Sequence, residues 1–168
     1  MPELQNWDNV VVPQRHITGC IPTGFEWLIR YLRIQAVNPQ TFQEDFDLGN
    51  NNSFNSVAGR IRERYSNIDV QSKSFDQGIE KIRKIQSLIE EQKPCLISLA
   101  LGHDSGWHIM LIVRVSNGRI DMIHSANTGG NHTWGFSVEE IKWRHDNLSG
   151  GKDISWIEPA RPQKSPNL

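Results

Sequence analysis

The chain has 168 residues, which suits one domain with one sizeable core. Hydrophobic residues make up 37% and charged residues 22%, and the formal net charge of −1 gives no electrostatic reason to expect nucleic acid or an anionic membrane as partner. No stretch approaches the roughly 20 apolar residues of a spanning helix, so no membrane insertion is expected.

The start, Met1-Pro2-Glu3-Leu4-Gln5-Asn6, lacks the basic and apolar parts of a secretory signal. The two cysteines are Cys20 and Cys95, too few for a disulfide scaffold. A reducing cytoplasm is the simpler expectation. A single bridge between the two thiols, and export by a route without a classical signal, stay open.

Val10-Val11-Val12 reads as a short extended entry that Pro13 ends. A helix is expected from about Pro22 to Gln35, with proline suited to its first turn. Phe25, Leu28, Ile29 and Leu32 form one stripe, and Trp27, Tyr31 and Ile34 cover the other side. A helix apolar nearly all round belongs in the interior. Residues 38–53, with Gly49-Asn50-Asn51-Asn52-Ser53, read as loop.

Further helices are expected over Phe54–Tyr65 and about Asp76–Gln92, the latter capped by Asp76 and turned inward through Ile79, Ile82, Ile85 or Gln86, and Leu88 with Ile89. Between them Asp69–Phe75 is a short strand or extended link. After Lys93-Pro94 the chain turns to strands at Cys95–Leu101, Trp107–Val115, Arg119–Ser125 and Asp153–Glu158. Asn117-Gly118 marks a hairpin turn, and a helix starts at Ser137 and runs to about His145. Helices first and antiparallel strands second make the expected class α+β. The core spans about residues 10–158 of a single domain, and residues 159–168 form a tail.

Cys20 stands just before a helix, where unpaired N–H groups and the helix dipole favour a thiolate. A free cysteine is more often a small buried hydrophobe, so Cys20 needs partners before it counts as a nucleophile. Gln14 lies six residues upstream, with an amide able to donate to an oxyanion. Cys95 opens an apolar strand and reads as core.

Of six histidines, His108 at the head of Ile109-Met110-Leu111-Ile112-Val113 is the best-placed base, and His103 in the preceding loop is a weaker rival. An uninterrupted hairpin register sets Ser116 opposite Arg119 and His108 opposite Asn127. Asn127 is then able to orient the imidazole, while His124 points to the other face. A bulge would move that partner by one residue. His103, His108, His124 and His132 lack the spacing of a zinc site, and no cofactor is expected.

The order Gln14, Cys20 before a buried helix, His108 at a strand start and Asn127 across a hairpin resembles the papain-like cysteine peptidase superfamily. Val12-Pro13-Gln14-Arg15-His16-Ile17-Thr18-Gly19-Cys20-Ile21-Pro22 is most similar to the bacterial branch of bacteriocin-processing, double-glycine-leader peptidases. So is Lys93-Pro94-Cys95-Leu96-Ile97-Ser98-Leu99 followed by a Gly-Trp-His strand. The resemblance implies a central buried helix packed on an antiparallel sheet. It implies a thiol attacking a peptide carbonyl, a histidine accepting the proton, a glutamine at the oxyanion and a third residue, Asp or Asn.

The pattern departs in three places. Ile21-Pro22 follows the cysteine where relatives have Gly-Pro, Trp107 precedes the histidine, and His124-Ser125-Ala126-Asn127 replaces the usual Asp-Pro. The expected function is hydrolysis of a peptide or amide bond in a protein or peptide substrate. The alternative is a catalytically weak protein-binding module on the same fold.

Overall fold

A computed structural model describes residues 3–9, 20–34, 37–49, 52–102, 106–124 and 133–158. In chain order these residues form α1 (Cys20–Tyr31), α2 (Phe42–Phe46), α3 (Phe54–Arg64), β1 (Asp69–Ser74), α4 (Gly78–Glu90), β2 (Cys95–Ala100) and β3 (Trp107–Ser116). β4 (Arg119–His124), β5 (Trp134–Ser137), α5 (Val138–Asn147) and β6 (Asp153–Glu158) follow. The class is α+β, as expected.

α1 begins two residues earlier than expected, at Cys20, and stops at Tyr31. The stop is a Schellman motif. Arg33 takes a left-handed φ of 54°, its N–H bonds Arg30 O, and the Ile34 N–H bonds Ile29 O. The helix is buried, but not only through apolar groups. Glu26 is fully enclosed, accepting from Arg30 Nε at 2.9 Å and from Gln43 Nε2 at 3.4 Å. Gln43 belongs to α2, which stands inside the stretch expected to be loop. Phe42 and Phe46, one turn apart, stack at 4.6 Å and bury completely. A five-residue helix offers too little periodicity to be read.

α3 starts at a capping box formed by Ser53 and Ser56. α4 differs from expectation in its cap, because Asp76 lies outside the helix and Gln77 makes no side-chain cap bond. The Gly78 N–H instead meets Asp146 Oδ1 of α5 at 2.8 Å. Gly78 is required there, since a Cβ would lie 2.9 Å from Lys142 Cα.

All strand pairs are antiparallel, in the order β1-β6-β2-β3-β4-β5. Alternation gives the sheet two covered faces. Leu96, Ile109, Leu111, Val113, Ile123 and Ile157 pack with α1 and α3. Ile97, Leu99, Met110, Ile112, Met122 and Ile154 pack with α4 and α5.

The β3–β4 register breaks once. Ser116 pairs with Arg119 as expected, but Met110 pairs with His124, because Val113 is an extra residue between Ile112 and Arg114. The Leu4 N–H bonds the Val113 carbonyl at 2.9 Å, and Glu3 bridges to Arg114. An N-terminal segment thus occupies the bulge.

Candidate active site

Cys20 is the first residue of α1, where its own N–H and that of Ile21 point at the sulfur and favour the thiolate. Burial outweighs them, and with the Asp47 charge it holds the thiol above its ordinary proton affinity. Cys95 is fully buried and pushed up to about 12 by desolvation. Both thiols are free, which removes the bridge left open by the sequence. They also belong to cores on opposite faces of the sheet. Cys20, half-buried, is the thiol within reach of a reagent.

One turn beyond Cys20, Gly24 lets α1 settle onto the strands. A Cβ there would stand 2.9 Å from Leu96 Cδ1 and 3.1 Å from Ile109 Cγ2. Cys20 and Gly24 share a helix face, and Ile109 follows His108, so the first turns of α1 lie over the start of β3. Alternation sends Ile109 to the α1 side and His108 to the side of Met110, opposite Leu99 on β2.

The imidazole of His108 is half-buried. Its Nδ1 accepts from the Ile109 N–H at 2.8 Å, which leaves the neutral ring's proton on Nε2. Its ring centroid lies 3.8 Å from that of His124, at 45°. Burial, with the nearby His124 second, lowers His108 to about 4. Burial also lowers His124. At neutral pH Cys20 is therefore a thiol, and His108 and His124 are neutral imidazoles on the Met110 side of β3.

Gln14 and Asn127 lie outside the described residues, as do His16, His103 and His132. The expectation that His124 points away from His108 is corrected: the Val113 bulge turns it onto the same face. Trp134 of β5 completes a row, 5.1 Å from His124 and 31° from parallel. The continuous run Ile109-Met110-Leu111-Ile112-Val113 hides the bulge, since no polar residue marks the change of face. His145 is structural, with Nε2 2.9 Å from Phe75 O.

A solved C39-like peptidase from Bacillus anthracis has a similar fold, with a TM-score of 0.63 at 13% identity, over 92% of this chain and 97% of that one. At that identity the likeness concerns the fold alone. The Pseudomonas avirulence protein AvrPphB aligns over 90% of this chain and 98% of its own, at 10% identity and a TM-score of 0.38, too low to carry an argument. No protein-family model and no curated protein matches the sequence.

Proposed function

We propose that the chain is a single-domain cysteine peptidase acting on a protein or peptide, with Cys20 as nucleophile and His108 as base. The observation that carries this reading is the free, half-buried thiol of Cys20 at the head of a buried helix. That helix packs over the start of the His108 strand, on a fold shared with a C39-like peptidase.

In this reading the sulfur attacks the amide carbonyl while the imidazole takes the thiol proton and later returns it to the leaving amine. Gln14 and the Cys20 N–H hold the oxyanion. The one-residue shift at Val113 takes away the register that set Asn127 opposite His108, so Asn127 enters this reading only as a residue a few positions past the end of β4. Water then cleaves the thioester, releasing the acid and restoring the thiol. Two free thiols fit a reducing compartment, and no helix among the described residues is long and apolar enough to cross a membrane.

A neutral resting pair sets the expected pH behaviour. A small alkylating reagent, which meets only the thiolate, labels Cys20 faster as pH rises through the elevated thiol range. A peptidyl warhead that recruits His108 keeps its advantage down to about pH 4, where the imidazole protonates. Mass spectrometry should find the warhead on Cys20, no adduct in Cys20→Ala, and labelling slowed at least about 100-fold in His108→Ala. Adducts on Cys95, or a His108→Ala rate equal to wild type, would end the peptidase reading.

A second reading, a binding module without useful catalysis, draws on the same pair. His108 faces His124 on the Met110 side, and the thiol is held protonated. It predicts a warhead rate no faster than that of free cysteine at the same pH.

A further inference from the structure

The His108–His124–Trp134 row has no counterpart in the expected triad. It runs across three neighbouring strands, β3, β4 and β5. We propose that His124 is a positioning residue, a ring pressed against His108 and backed by Trp134, that fixes the orientation of the proposed base. Its catalytic meaning rests on the peptidase reading; its structural content does not.

Three observations carry it. The contact is built by a defined irregularity: without the extra residue Val113, His124 would face the other side of the sheet. The bulge is itself held, through the Leu4 N–H on the Val113 carbonyl and the Glu3–Arg114 ion pair at 3.1 Å. Centroids 3.8 Å apart at 45° are in van der Waals contact, so rotation of the His108 ring toward β4 is blocked. Trp134 on the far side prevents His124 from swinging away.

The same contact makes the two rings electrostatically dependent. After burial, His124 is the next cause that lowers His108. From β2 the neighbour is Leu99, and from β5 it is Trp134, neither of which titrates. On β4, Asp121 is engaged by Arg114 and Arg119. On α5, Arg144 lies over Phe136, donates to the carbonyls of Ala100 and Leu101, and pairs with Glu140. On the α1 side Asp47 acts on Cys20, and Glu26 is paired with Arg30. A protonated His124 therefore opposes a proton on His108, and the base stays in its accepting form.

NMR of the His108 ring, in the intact protein, tests this without reference to activity. His124→Phe keeps a ring and removes the charge. The His108 titration midpoint should rise by roughly one unit while its single rotamer and ring–ring NOEs persist. His124→Gln removes the ring, and His108 should then average between rotamers. Trp134→Ala should do the same, more weakly. An unmoved midpoint in His124→Phe, or a single unchanged rotamer in His124→Gln, overturns the proposal. Failure of the peptidase reading appears elsewhere, as warhead labelling indifferent to His108→Ala, and leaves these readouts standing.

Discussion

Single residues carry much of the local geometry. Arg33 closes α1 in a left-handed conformation that costs an L-residue about 1–2 kcal/mol, and Gly adopts it freely. Arg33→Gly should therefore raise stability by about 0.5–1 kcal/mol, measured by urea unfolding. Gly24 works in the opposite sense. Leu96 and Ile109 close over the space a Cβ would need, so Gly24→Ala must displace those side chains or the helix, at about 1–3 kcal/mol and with slower warhead labelling of Cys20. Both effects depend on tertiary contacts or φ values that neither residue type announces in a sequence.

Among the elements, α4 differs most from its expected pattern. Its buried side includes Lys81, not Ile79, and the ammonium donates to the carbonyls of Ser98 and Gly151, the latter at 2.8 Å. Those carbonyls sit where β2 and β6 have stopped pairing, beyond Ile97 and Ile154. Burial brings Lys81 down to about 7, with Asp153 opposing. Above the ordinary lysine range both folded and unfolded chains are neutral there. As pH falls, the unfolded chain takes the proton first, so stability drops by about 1.4 kcal/mol per unit until about pH 7 and is flat below. In Lys81→Met that slope is absent. Urea unfolding at pH 7, 8.5 and 10 should show the wild type gaining on the variant with each step, and a constant difference would contradict the assignment.

At the scale of the whole molecule, the last described strand is an interior one. β6 lies between β1 and β2, so the sheet is incomplete until residues 153–158 have inserted. Truncation after Lys152 leaves β1 without its strand partner and strips Leu96 and Ile97 of their β6 neighbours, while their pairing to β3 remains, and cooperative unfolding should be lost in calorimetry. The N-terminal end matters for the same reason. Leu4 is 1% exposed and fastened at the bulge, so Leu4→Ala should cost about 2–5 kcal/mol.

Composition and periodicity by themselves determined the α+β class, the buried helix after Cys20, the strand headed by His108 and the Asn117-Gly118 hairpin. Each rests on a signal contained within about a dozen neighbouring residues. Cys20 and His108 were legible as candidates because helix starts and strand starts are local features. Only tertiary structure decided that β6 enters the middle of the sheet, that Lys81 turns inward, and that His124 shares a face with His108. Those outcomes turn on one extra residue in a uniformly apolar strand and on carbonyls left open by distant strands. Pairing energies between remote segments settle such choices, and no local pattern encodes them.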